Sequence, residues 1–206
     1  MFEKMANWQH LRMPWRSAKW LAIDIETNGL DAKGDAMLAL AWVAIQPPRI
    51  MLNEAEYRVV NTNLELTQSA VVHQLSLSDI AAGLPLEEVL QDFIEAAEGA
   101  IIVAHNAQFD AAVLQQALKQ TNMSWHPDGV YCTLRAERRR LERQSKTLKP
   151  DSLTLAACRE RYGFDAFSGH HALNDAIACA ELFLAQAFRY SSGHTPNARS
   201  LLKEGR

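Results

Sequence analysis

One segment constrains the fold of this chain more than any other, because it is an apolar stretch that contains two carboxylates. Residues Lys19 to Thr27 read K-W-L-A-I-D-I-E-T and lead into Asn28-Gly29, which predicts a β-strand followed by a turn. Side chains at i and i+2 project from the same face of a strand. Asp24 and Glu26 therefore share one face of a strand whose neighbours are apolar.

The pattern downstream predicts further strands and helices in a mixed order. Strands are expected at 36–45, 49–60, 100–104 and 129–133, with Gln46-Pro47-Pro48 as the turn between the first two. Apolar residues at helical spacing predict helices at 86–97, 107–120, 134–143, 152–162 and 172–188. Three strands followed by alternating helices and strands are typical of an α/β fold, with a mixed central β-sheet flanked by helices.

The length and composition fit one globular domain with short extensions. The chain has 206 residues, of which 48% are hydrophobic and 22% charged, enough to bury a core. We expect an N-terminal extension at 1–18, the main domain at 19–190 and a polar, frayed C-terminal tail at 191–206. Trp8 and Trp15 of the extension either pack on the domain, which we favour, or dock a partner.

The N-terminus, the apolar runs and the cysteines predict a cytoplasmic protein that does not span a membrane. The N-terminus has no long apolar core of a signal peptide, and no apolar run in the chain is long enough to span a bilayer. We therefore expect a cytoplasmic location. The three cysteines lack metal-binding spacing and are expected to be reduced, buried thiols: Cys132, Cys158 and Cys179.

The Asp24 and Glu26 pair has two interpretations. Burying two neighbouring carboxylates without partners is costly, and a divalent cation removes that cost. In the alternative, the strand lies at a sheet edge and its acidic face is solvated. The apolar neighbours argue against a fully solvated strand.

Two further segments place an aspartate in the first turn of a helix. In H-N-A-Q-F-D, Asp110 follows the buried strand at 100–104, and ligands bind preferentially at the carboxyl ends of such strands. In H-H-A-L-N-D, Asp175 begins the last helix and His170 precedes it, as would suit a general base. In the alternative without a functional role, Asp110 only complements a helix N-terminus. His170 and His171 are then a surface pair of histidines, and Asp175 only begins a helix.

Taken together, D-I-E-T-N-G, H-N-A-Q-F-D and H-H-A-L-N-D resemble the three motifs of the DEDDh class of DnaQ-like exonucleases, over roughly residues 20–189. The resemblance implies a ribonuclease H-like fold and a metal-dependent 3′→5′ exonuclease that releases nucleoside 5′-monophosphates from DNA or RNA. It also implies that two Mg²⁺ or Mn²⁺ ions are bound by four carboxylates in a two-metal mechanism: Asp24, Glu26, Asp110 and Asp175.

Two adjacent histidines compete for the role of general base. Helical geometry favours His171, because residues at i and i+4 share a face with Asp175. The resemblance favours His170, which stands five positions before that aspartate as in the histidine-type members. We predict His170 as the catalytic base.

The resemblance also suggests contacts with the terminal nucleotide. His73 matches a family histidine in this role, and Gln68 stands five positions earlier, where a relative has a glutamate. Thr27 and Leu30 follow the first motif, and Asn106 lies within the second. Each of these residues has an ordinary loop or core role as its alternative.

The net charge is −3, although Arg135 to Lys149 carries seven basic and two acidic residues. This basic run either tracks substrate phosphates or, as we favour, is a helix face on which Glu137 and Glu142 pair with arginines. The expected partners are single-stranded or frayed 3′ ends of DNA or RNA. A free-standing nuclease is favoured over one bound to a DNA polymerase or another protein, and the oligomeric state is not predicted. The alternatives are an RNA-processing or oligoribonucleotide exonuclease and a non-catalytic nucleic-acid-binding module.

Overall fold

The computed structural model describes residues 11–29, 31–32, 34–62, 75–145 and 148–206, and its centre is a five-stranded sheet. The strands are β1 (Trp20–Thr27), β2 (Met37–Gln46), β3 (Arg49–Val59), β4 (Ile101–Ala104) and β5 (Val130–Cys132). Their order is β3-β2-β1-β4-β5. Strands β1, β2 and β3 pair antiparallel, whereas β4 pairs parallel with both β1 and β5. The predicted mixed sheet is confirmed.

Seven α-helices surround the sheet in the described part of the chain. They are α1 (Leu77–Ala81), α2 (Leu86–Ala96), α3 (Ala107–Gln120), α4 (Thr133–Arg143), α5 (Leu155–Glu160), α6 (Ala172–Tyr190) and α7 (Ala198–Leu202). Short 3-10 helices occur at Trp15–Ser17 and Pro150–Leu153. Among the residues described, no helix combines the length and the apolar character needed to cross a membrane.

The two faces of β1 pack against different helices. Leu21 and Ile23 belong to a core that contains residues of α2 and α3, whereas Trp20 and Ala22 belong to a second core built around α6. Since side chains alternate along a strand, the even positions Asp24 and Glu26 point to the α6 side. Only 5% of Glu26 is exposed, and β1 is an interior strand. The alternative of a solvated edge strand is therefore wrong.

The single helix predicted at 152–162 is wrong, because the chain breaks at Thr154. That residue is extended, with ψ 153°, and separates the 3-10 helix Pro150–Leu153 from α5. Its hydroxyl accepts a hydrogen bond from the backbone N–H of Ala157. A threonine in this arrangement caps a new helix rather than continuing an old one.

The expectation that the residues after Ser191 fray is also wrong. Helix α7 buries Ala198, Leu201 and Leu202 in the α6 core, and the N-terminal segment packs beside it. Trp15 is fully buried there, and its backbone N–H donates to Pro196 O at 3.1 Å. The apolar contacts outweigh the polar composition of the tail. The expectation that Trp15 packs on the domain is confirmed, while Trp8 lies outside the described residues.

All three cysteines are buried free thiols, as the sequence predicts: Cys132, Cys158 and Cys179. Burial raises the pKa of the Cys158 thiol to about 12 and that of Cys179 well above its usual range. Because the thiolate is the reactive form, the raised pKa values make Cys158 and Cys179 unreactive components of the core.

Candidate active site

The site lies where β1 and β4 end side by side. The two strands are parallel, with Ala22 opposite Val103, so their carboxyl ends meet at one edge of the sheet. The chain leaves β4 through His105 and Asn106 and enters α3 at Ala107. Asn106 has a left-handed backbone, with φ 68° and ψ 42°, which asparagine tolerates better than most residues. This tight turn places Asp110 in the first turn of α3, beside the end of β1.

Carboxylates from three separate parts of the chain meet at this edge. One oxygen each from Asp24, Glu26 and Asp175 lies within 4.8 Å of the other two. Asp110 lies near enough to interact electrostatically with Asp24 and Glu26, and it is only 5% exposed. The structure therefore brings together all four residues predicted as metal ligands. We call them the acidic cluster.

The electrostatics of the acidic cluster are dominated by burial and by the mutual repulsion of its carboxylates. Burial, followed by the charges of Asp110, Asp175 and Glu26, raises the pKa of Asp24 well above its usual range. Burial raises the pKa of Asp110 to about 7, with Glu26 adding to the effect. Burial also raises the pKa of Asp175, although the N–H and charge of His170 oppose it. Clustered like charges in a buried site disfavour ionisation in this way.

The donor set of the acidic cluster fits a hard divalent cation. Carboxylate oxygens are the ligands that Mg²⁺ and Mn²⁺ prefer, and a bound cation would compensate the charge that burial leaves unbalanced. The alternative in which Asp110 only complements a helix N-terminus is insufficient. Its helical backbone N–H lowers the pKa, but burial outweighs that contribution.

The two candidate histidines point to different surroundings. His170 has a left-handed backbone with φ 64°, is exposed, and donates its backbone N–H to Asp175 Oδ2 at 2.8 Å. Its charge also acts on the pKa of Asp175. The ring of His171 instead stacks on Tyr57, with ring centroids 4.6 Å apart. Of the two side chains, His170 is therefore the one whose charge acts on the acidic cluster.

A partly buried histidine that the sequence analysis did not single out supports the site. His105 places Nε2 2.9 Å from Leu153 O and Nδ1 2.8 Å from Thr133 Oγ1. Because a carbonyl only accepts hydrogen bonds, Nε2 carries the proton and Nδ1 accepts from the threonine hydroxyl. Burial lowers the pKa of His105 to about 4. It is a neutral brace between β4, α4 and the 3-10 helix, and its only sequence signal is its place at the head of H-N-A-Q-F-D.

Tyr57 is a second neighbour of the site that the sequence did not reveal. Burial, with a contribution from the charge of Glu26, raises the pKa of its hydroxyl to about 12. It stands on β3 and supports the ring of His171. Its only sequence signal is a place in a loosely alternating strand, which did not distinguish it from its neighbours.

The predicted contacts with substrate are only partly within the described residues. Thr27 ends β1 next to Glu26, is 4% exposed, and donates its hydroxyl to Gly29 O at 2.6 Å. Asn106 is exposed at the turn before α3, and its side chain makes no capping hydrogen bond. Three other predicted contacts, Leu30, Gln68 and His73, lie outside the described residues.

Most of the basic run is occupied by contacts within the protein. Arg140 pairs with the fully buried Glu137, and Arg143 pairs with Glu204. Arg135 donates to Gln108 Oε1 at 3.0 Å, while Arg139 donates to the backbone carbonyls of Lys203 and Arg206. These contacts favour the paired helix face over a track for substrate phosphates.

The fold and the acidic cluster define the class of protein. A mixed sheet of this order, with carboxylates gathered at the ends of its central strands, is a ribonuclease H-like nuclease domain. The Exonuclease family model, RNase_T, matches residues 21–183, and the chain belongs to this exonuclease family. The predicted membership of the DnaQ-like exonucleases and the ribonuclease H-like fold are therefore confirmed.

Relatives with similar sequences include a DNA polymerase and a ribonuclease. The chain is 28% identical over 172 residues to the PolC-type DNA polymerase III of Thermotoga petrophila, covering 82% of this chain and 12% of that protein. It is 26% identical over 209 residues to ribonuclease T of Haemophilus ducreyi, covering 92% of this chain and 94% of that protein. The chain thus spans about an eighth of the PolC-type polymerases and nearly the whole of ribonuclease T.

Solved structures with low sequence identity share the fold. E. coli exonuclease I in complex with a dA16 oligonucleotide has a TM-score of 0.73 at 15% identity, covering 85% of this chain and 42% of that chain. Cell-death related nuclease 4 has a TM-score of 0.70 at 16% identity, covering 84% of this chain and 64% of that one. At this identity the likeness concerns the fold alone.

Proposed function

We propose that this chain is a metal-dependent 3′→5′ exonuclease that releases nucleoside 5′-monophosphates from the 3′ end of a nucleic acid. One observation carries the proposal. Carboxylates from β1 and α6 present oxygens within 4.8 Å of one another, and Asp110 from α3 interacts with them. Membership of the exonuclease family supports the same reaction.

In this proposal, Asp24, Glu26, Asp110 and Asp175 would hold two divalent cations, either Mg²⁺ or Mn²⁺. Such ions supply Lewis acidity that makes water a better nucleophile and stabilises a leaving oxygen. The protein contributes a rigid acceptor set, because the four carboxylates stand on β1, α3 and α6 rather than on loops. Burial of Glu26 and Asp110 also reduces the screening of their charges by bulk water.

His170 is proposed as the group that takes the proton. Water attacks the terminal phosphorus, its proton moves to a ring nitrogen of His170, and the bond from phosphorus to the 3′ oxygen breaks. The products are a nucleoside 5′-monophosphate and a chain one nucleotide shorter. The hydrogen bond from His170 N–H to Asp175 keeps this residue next to the acidic cluster. In this proposal His171, whose ring stacks on Tyr57, does not take the proton.

Residues around the acidic cluster are proposed to hold the terminal nucleotide. Thr27 and Asn106 border the cluster at the ends of β1 and β4. Leu30, Gln68 and His73 join them by resemblance to the family alone. Exchanging any of these five is expected to raise KM more than it lowers kcat, because none holds a cation or moves a proton.

The proposal leaves two substrates, DNA and RNA, which different relatives favour. Ribonuclease T matches over nearly its full length, which favours RNA, whereas the PolC-type polymerases favour DNA and association with a polymerase. Exonuclease I is seen with a dA16 oligonucleotide, which supports single-stranded or frayed 3′ ends as the substrate. A cytoplasmic location is part of the same proposal.

Digestion of matched DNA and RNA oligonucleotides, labelled at either end, tests the function. With Mg²⁺ or Mn²⁺ and a 5′ label, we expect a ladder of products shortened by single nucleotides. With a 3′ label, the first product is a labelled mononucleotide. Cleavage that is unaffected by EDTA, or a ladder of opposite polarity, would contradict the proposal. Binding of the oligonucleotides without any cleavage would indicate the non-catalytic module instead.

A further inference from the structure

The loop that carries His170 is anchored by a buried arginine on α5. Only 6% of Arg159 is exposed. Its guanidinium carbon lies 4.8 Å from the ring centroid of Phe164 and 4.8 Å from that of Phe167. The cation therefore lies over two aromatic rings of the segment between α5 and His170. Such contacts are stronger when the cation is desolvated, as it is here.

The other end of this anchor reaches α6, the helix that carries Asp175. Arg159 Nη1 donates to Ala178 O at 3.2 Å and pairs with Glu181. Both partners follow Asp175 within two helical turns. Arg159 thus ties the two phenylalanines of the loop to the helix that supplies one carboxylate of the acidic cluster.

Contacts within the loop transmit this anchor to His170. A Cβ at Gly169 would lie 3.8 Å from the ring of Phe167 and 3.5 Å from Asp175 Oδ1. Gly169 therefore lies beside both the ring of Phe167 and the carboxylate of Asp175. His170 follows directly and donates its N–H to Asp175 Oδ2 at 2.8 Å. Phe167 therefore lies next to the backbone that makes this hydrogen bond.

We propose that Arg159 is a positioning residue for His170, acting through Phe164 and Phe167. A left-handed backbone, with φ 64° at His170, is unfavourable for a residue with a Cβ and persists only where the surroundings hold it. The stacked guanidinium holds the loop in that conformation and keeps the imidazole beside the acidic cluster. The catalytic consequence rests on the proposed role of His170 as the base.

Kinetics of Arg159→Met tests the catalytic part. We expect kcat to fall about tenfold with KM nearly unchanged, because a displaced base loses part of the effect of general-base catalysis. In the His170→Ala background, the same substitution should have no further effect on the residual rate.

Arg58→Met is the matched control. Arg58 also lies over an aromatic ring, that of Trp42, and pairs with Glu56 and Asp92, but it is on the other face of the sheet. It should leave kcat unchanged.

Hydrogen exchange of the His170 amide tests the structural part without any activity. We expect Arg159→Met and Phe167→Leu to speed this exchange several-fold, while the melting transition stays cooperative and Arg58→Met has no effect. Phe167→Leu removes one ring and leaves the Glu181 pair, so it tests the anchor even if Arg159→Met fails to fold. Unchanged exchange in the folded variants, or an equal loss of kcat with and without His170, would overturn the proposal. Faster exchange in a chain without nuclease activity would support the anchor and refute the proposed function.

Discussion

The single carboxylate of Glu137 and the four carboxylates of the acidic cluster have their charge compensated in different ways. Glu137 is fully buried and accepts hydrogen bonds from Arg140, Arg161 and Tyr162. Burial by itself would raise the pKa of Glu137, but the two arginines outweigh it and the pKa is lowered. In the acidic cluster, the pKa values of Asp24, Asp110 and Asp175 are all raised.

The difference shows where each group obtains its positive charge. Around Glu137 the cations are side chains of the same chain, so this ion pair network forms on folding and contributes to stability. Around Asp24 and Asp110, burial and neighbouring acids dominate. A group of acids whose pKa values are raised in this way costs stability when it ionises, and a cation bound from solution offsets that cost. The four predictions that follow are ordered from the largest expected effect to the smallest.

Asp24→Asn should separate activity from stability most strongly. Removing one carboxylate of the acidic cluster should lower turnover at least about 1,000-fold. The metal-free protein should be as stable as wild type or more so, since one source of repulsion is gone. Initial rates of oligonucleotide digestion and thermal unfolding in EDTA measure the two effects. A variant with near wild-type rates would refute the role of Asp24.

Metal removal should make the stability of the protein fall as pH rises. The folded-state pKa of Asp110 is about 7, above the ordinary value of 3.8, so the folded state holds a proton that the unfolded chain has already released. Its stabilising contribution is present at low pH and is lost as pH rises through that interval. In EDTA, the Tm of wild type should fall more steeply between pH 5 and 8 than that of Asp110→Asn. Saturating Mn²⁺ should raise Tm more at pH 8 than at pH 5, and an equal rise at both would contradict the account.

Glu137→Gln should lower stability and leave turnover unchanged, which is the reverse of the effect expected for Asp24→Asn. It leaves Arg140 and Arg161 without their shared carboxylate, which should cost about 2–4 kcal/mol of unfolding free energy. At temperatures where the variant is folded, turnover should be unchanged, because the acidic cluster is intact. Denaturant unfolding measures the loss. Glu142→Gln, an exposed acid on the same helix, is the control and should change stability little.

His105→Gln should remove one contribution to the pH dependence of stability. This contribution has the opposite sign to that of the acidic cluster. The pKa of His105 is lowered from 6.5 to about 4, so its stabilising contribution is present above pH 6.5 and is lost as pH falls towards 4. For this one group the loss between pH 7 and 5 is about 2 kcal/mol. Unfolding free energies of wild type and variant in saturating Mg²⁺ measure it. If the two curves stay parallel, His105 is not a neutral brace.

The sequence predicted the sheet and the acidic residues well, because both depend on local patterns. The period of two along β1 placed Asp24 and Glu26 on one face, and helix starts placed Asp110 and Asp175 in first turns. Local signals also existed for two helices that were not predicted. A capping box begins at Ser76 before α1, and Asn197 caps α7.

Contacts between residues distant in sequence could not be predicted from local patterns. Arg159 meets Glu181 across 22 positions, and Arg161 meets Glu137 across 24. Nothing in the local pattern distinguishes these arginines from exposed ones. The same holds for Tyr57 and His171, which stack although β3 and α6 are far apart in sequence.

Calorimetric titration with Mn²⁺ tests the central claim most directly, namely that the acidic cluster binds cations supplied from solution. We predict two ions per wild-type chain, weakened or lost binding in Asp24→Asn and Asp175→Asn, and wild-type binding in Glu137→Gln. Proton release should accompany binding, because carboxyl groups with raised pKa values must ionise to become ligands. Absence of Mn²⁺ uptake by folded wild-type protein, or uptake that Asp24→Asn leaves unchanged, would contradict the account.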